Sequence, residues 1–256
     1  MTVDVSCLVG PYPFRHIPHP EPDVLVRVLA REGIEGAWVG HLPSAFHRDP
    51  APGNAELFES LAPHPGLGPV PVVRPDWPQW QKALAGVISR GAVAVRAYPP
   101  QWGMAADHPA MASLSAACGE AGMPLLLTVR FEDLRQRHSL DVAGDLTGAA
   151  IRAVVRASGD VRVVVSGAGR ALVEEVHWGL TPSERARCWW DISWIWGPPE
   201  DDLAHLVRTL GGKRFLYGSM WPLRLTQSPR ANLELLPDDL AGTPLANAAD
   251  VRAGES

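Results

Sequence analysis

The densest group of side chains able to do chemistry in this chain is the segment RFEDLRQRH at 130–138, which follows the apolar run LLLTV at 125–129. A carboxylate beside an imidazole can orient it and raise its pKa near neutrality, the arrangement used in general acid–base chemistry. Glu132, Asp133 and His138 are therefore acid–base candidates. The same residues also fit a plainer pattern. Asp133 and Arg137 are spaced i,i+4, and Glu132 and Arg135 i,i+3, as in ordinary surface ion pairs on a helical turn. Both readings stand at this level.

A second constellation is built from arginines at strand spacing. Arg96 and Tyr98 in AVRAYPP are two residues apart, as are Thr128 and Arg130. A period of two puts each pair on one face of a strand. If those faces point inward, Arg96 and Arg130 converge, and guanidinium groups clamp carboxylates or phosphates through paired charge-assisted hydrogen bonds. Arg135, Arg15 and His41 sit on neighbouring loops and extend this anion-binding set. The alternative is that each arginine pairs with Glu132, Asp133 or Asp191. Asp191 lies among apolar neighbours in WWDIS, and a buried carboxylate needs a partner or a shifted pKa. It serves either as a general base or as a structural hydrogen-bond acceptor. Trp102, Trp194, Trp196 and Trp221 follow predicted strand ends and can wall a pocket for an apolar or aromatic group, or pack between loops or across a dimer interface. Ser166 heads a Ser-Gly-Ala-Gly segment whose backbone N–H groups suit an anion, while Ser219 lacks the GxSxG context of a serine hydrolase.

The elements that must position these residues alternate in type. Short β-branched runs at 3–9, 37–40, 70–73, 92–98, 125–129, 161–166, 188–192 and 214–218 are separated by longer helical patterns, the signature of a parallel sheet covered by helices. Asn54, Asp76 and Asp107 read as N-caps of three of those helices. Eight such units predict an α/β protein with a single-domain, parallel eight-stranded (β/α)8 TIM barrel over 1–240, followed by a terminal helix and polar tail at 241–256. No glycine-rich phosphate turn supports an open doubly wound sheet.

Composition narrows the partners. A net charge of −5 gives no general attraction for nucleic acid or an anionic membrane. Lys82 and Lys213 are the only lysines, which argues against Schiff-base catalysis. Cys7, Cys118 and Cys188 are widely spaced and lack CxxC neighbours, so they read as buried fillers in a reducing compartment. The segment MTVDVSCLVG has no signal-peptide character, and the expectation is a cytoplasmic protein acting on a small anionic organic substrate, as a monomer or homodimer.

Several segments, in order and spacing, resemble the amidohydrolase superfamily, and within it the amidohydrolase-2-like barrels: GPYPFR, RDPAPGN, AVRAYPP, RFEDLRQRH, WWDIS, FLYGSMWP and LANAAD. The resemblance covers most of the chain and implies the (β/α)8 fold. Metal-dependent members begin with Asp-x-His-x-His, because two imidazoles one strand period apart face the barrel axis. Here the segment is Asp4-Val5-Ser6-Cys7-Leu8. The strand-five histidine position falls near Thr128, the strand-six position near Val165 or Ser166, and the strand-eight aspartate is Met220. The resemblance with these departures implies a divergent member without metal ligands and without a cofactor. Hydrolysis of a lactone, ester or amide is the first activity it implies. Decarboxylation or another lyase reaction on an organic acid is the second, and a non-catalytic binding barrel the third.

Overall fold

Residues 2–105 and 107–253 are described by the computed structural model. Strands and helices alternate from the start: β1 (Val3–Val9), α1 (Pro22–Arg31), β2 (Gly36–His41), α2 (Ala51–Leu61), β3 (Leu67–Pro69), α3 (Trp80–Ser89), β4 (Val95–Ala97) and α4 (Pro109–Glu120). The second half continues with β5 (Leu125–Thr128), α5 (Gly148–Arg156), β6 (Val163–Ser166), α6 (Arg170–Gly179), the short α7 (Pro182–Arg185), β7 (Cys188–Asp191), α8 (Asp202–Leu210) and β8 (Phe215–Leu216). It ends with α9 (Gln227–Glu234) and α10 (Ala248–Ala253).

The strands run in two parallel ladders, β1-β2-β3 and β4-β5-β6-β7-β8. Between β3 and β4 the ladder is interrupted by Pro69 and Pro71, which have no N–H to donate. The chain still bridges that seam through Val93 N to Pro69 O (3.0 Å), Arg96 N to Pro71 O (2.9 Å) and Val73 N to Arg96 O (3.1 Å). The other seam is crossed by Val5 N to Tyr217 O (3.0 Å) and Leu8 N to Trp221 O (2.7 Å). The architecture is an α/β (β/α)8 TIM barrel, as the alternation of patterns predicts.

Alternation along each strand sorts the core into layers. Val5, Trp38, Val70, Ala94, Leu126, Val164, Trp189 and Leu216 pack together in the barrel interior. Their strand neighbours, among them Val39, Val95, Leu125, Leu127, Val163, Val165 and Trp190, pack outward with the buried faces of the helices. Ala246, Ala248 and Val251 join the interior group, and Ala246 N donates to Phe215 O at 2.9 Å. The expected polar tail at 241–256 is thus partly core, because its small and apolar residues fill the barrel floor. Residues 254–256 lie outside the described set.

Three predicted caps are corrected. Asn54 is inside α2, not at its start, and its amide bonds both backbone groups of Val72 at 2.8 Å, standing in for the ladder that the prolines break. Asp76 pairs with Arg74 instead of capping α3, which begins after Gln79. His108, not Asp107, caps α4, its Nδ1 accepting from Ala110 N at 3.2 Å. Neither α2 nor α3 has a side-chain cap at its N-cap residue, Pro50 and Gln79 respectively.

Candidate functional site

The same alternation that turns Leu126 and Val164 inward also turns Arg96, Tyr98, Thr128, Ser166 and Asp191 toward the barrel axis, at the strand C-terminal ends. Arg96 is 1% exposed and Tyr98 is fully buried. Space for the guanidinium comes from Gly40, where a Cβ would sit 3.2 Å from the Leu8 side chain and 3.3 Å from Arg96 Nη1. Among the described residues Arg96 Nε and Nη2 meet no acceptor in hydrogen-bond geometry, and the Tyr98 and Thr128 hydroxyls meet no partner, although the Tyr98 phenol lies close enough to Arg96 to feel its guanidinium. No ion pair to Arg96 is present among the described residues. Burial pushes the Tyr98 phenol upward, with the nearby Arg96 charge opposing.

Asp191 is fully buried and is satisfied on all sides. Its carboxylate accepts from Ser166 Oγ (2.5 Å), Ser193 Oγ (2.7 Å), Gly167 N (3.2 Å) and Ser193 N (3.3 Å). Gly218 brings the next strand close, since a Cβ there would meet Asp191 Cβ and Ser6 Oγ, each at 2.7 Å. Four donors converge on Asp191, and one of them, Ser166 Oγ, is a hydroxyl within reach of a base, so the geometry accommodates both the structural-acceptor and the general-base readings.

An aromatic cap covers this polar layer. Leu8, Tyr12, Tyr98, Phe131, Trp194 and Met220 are buried together, with Phe14, Phe46 and Trp102 packed on them. Glu132 is drawn into the cap, where Arg15 Nε donates to it at 2.5 Å and Tyr12 Oη at 3.4 Å. The candidates that sequence reading placed at the mouth therefore separate. Asp133 and Arg135 form a local surface pair at 2.9 Å, and the Arg135 hydrogen bond holds the Asp133 carboxyl down at about 2. His138 is exposed, its ring stacked 5.9 Å from Phe14 and its Nδ1 accepting from Leu140 N at 3.1 Å. Among the described residues no hydrogen bond or ion pair joins His138 to Glu132 or Asp133. The acid–base group expected from Glu132, Asp133 and His138 is corrected accordingly: the loop folds so that each is held by a different neighbour.

Arg130 points inward but reaches the rim, where Nη2 pairs with Asp145 at 2.9 Å and the guanidinium lies 5.4 Å from the Trp194 ring. His41 is also corrected. It is buried against α2, its Nδ1 2.8 Å from Ser44 Oγ and its Nε2 3.6 Å from Glu56, and burial lowers its pKa. Trp221 packs outward with the strand–helix core, because Met220 takes the inward position. Trp102 is edge-on to Tyr98 at 6.3 Å and carries Arg74 at 5.5 Å. Sequence reading missed Arg224, which stacks on Trp194 at 4.5 Å and Trp196 at 5.0 Å. A cation shortly after the eighth strand exit was the available signal.

The positions that bind metal in the barrels this sequence resembles do not fit a metal here. Ser6 Oγ accepts from Met220 N and Asp4 Oδ1 from Ser219 N, both at 3.1 Å. Met220 Sδ accepts from Trp194 Nε1 at 3.2 Å. Burial raises the Asp4 pKa against the pull of its hydrogen bonds. Hydroxyls, a leucine and a thioether are poor ligands for a hard or borderline dication, and no group of three His, Cys, Asp or Glu among the described residues is placed to hold one. The segment Asp4–Leu8 instead closes the seam between β1 and the chain after β8.

No family model matches the sequence, and no curated protein does. Similar solved structures do exist. An uncharacterised TIM-barrel protein from Bordetella bronchiseptica matches at TM-score 0.69 and 17% identity, over 98% of this chain and 99% of that one. An amidohydrolase from Mycobacterium avium subsp. paratuberculosis matches at TM-score 0.64 and 19% identity, over 91% and 73% of the two chains. A probable 2-pyrone-4,6-dicarboxylic acid hydrolase from Acinetobacter baumannii, with citric acid bound, matches at TM-score 0.60 and 12% identity, over 91% and 90%. A 2,6-dihydroxybenzoate decarboxylase is similar as well. Those with a stated activity are enzymes, hydrolases and a decarboxylase, and what the likeness establishes for this chain is its fold alone, a (β/α)8 barrel.

Proposed function

We propose that this chain binds a small organic anion inside an amidohydrolase-type barrel, without a metal held by the protein. One observation carries the reading: Arg96 is buried and has no carboxylate partner. Arginine does not lose its proton in a protein, and an uncompensated buried charge costs several kcal/mol. A carboxylate seated on Arg96 Nε and Nη2, with the Tyr98 and Thr128 hydroxyls beside it, removes that cost. Names of similar proteins agree with organic acids as a ligand class. Acetate, malonate and citrate are the probes: each one that binds raises the melting temperature of the native protein, and the shift disappears in Arg96→Met. Equal shifts in both proteins sink the proposal.

A hydrolytic reading rests on a separate observation, the 2.5 Å contact of Ser166 Oγ with Asp191 facing the barrel axis. The carboxylate would hold the hydroxyl as acceptor, and the anion on Arg96 would fix the substrate. Turnover in a lactone and ester panel, abolished by Asp191→Asn with folding retained, supports catalysis; no turnover leaves binding as the function.

A further inference from the structure

We propose a second ligand site, distinct from the buried Arg96 position, in the cleft between the loops after β5, β6 and β7, and assign to it a planar ring bearing one carboxylate. The cleft has a volume of about 320 Å³ and is lined by Arg130, Gly169, Trp194, Trp196 and Glu200 together with the Asp133–Arg135 pair. A larger recess of about 600 Å³ shares Arg130, Gly169 and Trp196 with it. Trp194, buried in the aromatic cap, forms the wall on the barrel side, so the two sites are separated by its indole.

Four features specify the ligand. Trp196 is 43% exposed although Arg224 covers one side of its ring at 5.0 Å; a large flat apolar surface facing a cleft suits a stacked ring. Arg130 and Arg137 both pair with Asp145, at 2.9 and 2.5 Å, and Arg137 also lies 4.0 Å from Asp141; among the described residues Arg130 Nε has no acceptor. The cleft therefore offers a guanidinium with one N–H unfilled. Gly169 begins α6 without a side-chain cap, and a Cβ there would meet nothing closer than Trp194 O at 3.9 Å, leaving room for a carboxylate beside Arg130. Glu200 limits the charge. Asp133 is neutralised by Arg135, but Glu200 makes no ion pair among the described residues, and it would repel a second carboxylate.

Benzoate is the probe, titrated calorimetrically into the full chain carrying Arg96→Met so that the buried guanidinium does not contribute. The expected result is binding that weakens about tenfold in Trp196→Leu and about tenfold in Arg130→Met, and tightens in Glu200→Gln. Cyclohexanecarboxylate, of similar size but not planar, should bind more weakly than benzoate. Unchanged melting temperatures for these rim variants show that any loss is not unfolding. The proposal is overturned if Arg96→Met shows no benzoate binding at millimolar concentration, or if Trp196→Leu and Arg130→Met bind it unchanged. Either result leaves the Arg96 reading to its own test with acetate, malonate and citrate.

Discussion

Replacing Arg96 by methionine should stabilise the ligand-free protein, the opposite of what removing a buried, well-placed side chain usually does. The guanidinium leaves Nε and Nη2 without acceptors, and each unsatisfied donor costs about 1–3 kcal/mol. Methionine keeps an unbranched apolar stem of similar reach, so most packing survives. Allowing for some loss of contact, the net gain is about 2 kcal/mol, or about 4–8 °C in melting temperature for a chain of this size. The assay is a thermal melt in a buffer of low anion content, repeated with citrate. Saturating ligand at a hundredfold excess over Kd adds about 2.7 kcal/mol to the native protein only, so the order of stability should reverse. A melting temperature that falls in Arg96→Met without any anion would refute the reasoning, because it would mean that the guanidinium is already satisfied in the empty protein.

Other substitutions test the frame and the corrected site. Asn54→Ala strands both backbone groups of Val72 and should cost about 2–4 kcal/mol in urea unfolding; a loss below about 1 kcal/mol would show that the segment is held by other means. His177 is held neutral, its pKa lowered to about 4 by burial and the Arg185 and Arg214 charges. The unfolded chain therefore binds the extra proton first, and stability should fall as pH drops from about 6.5 toward 4. The His177 contribution is at most about 3 kcal/mol before solvent screening, and His177→Gln should flatten the slope. His138→Ala and Asp133→Ala should each change stability by no more than about 0.5 kcal/mol and leave acetate binding intact. Treatment with a chelator should leave the melting temperature unchanged; a drop would mean that a metal is held by residues other than Asp4, Ser6, Thr128, Ser166 and Met220.

The fold was legible because its signal is repeated. Each β-branched run followed by a helical pattern votes for the same barrel, and alternation alone aims Arg96, Tyr98 and Asp191 inward. The site was less legible because loops decide it. Nothing local to 130–138 says that Arg15, far away in sequence, takes Glu132, or that Phe14 holds the His138 ring. Those pairings depend on which loops meet over the barrel, a long-range property that spacing does not encode. The strand expected at 70–73 forms instead at Leu67–Pro69, because Pro69 and Pro71 remove donors and the side chain of Asn54 repairs the gap from a helix.

The floor of the barrel has a consequence for how the protein is made. Residues 246–253 seal the interior through Ala246, Ala248 and Val251, and the Arg162 guanidinium holds the carbonyls of Val251 and Arg252 from the opposite half. All eight strands are synthesised before this segment leaves the ribosome. During that interval the apolar interior is open at its base, exposing Trp189 and Leu216 to whatever chaperone or neighbouring chain is at hand. A translation stop before position 246 would release a barrel with every strand present and its base unsealed, a species suited to aggregation rather than to partial function.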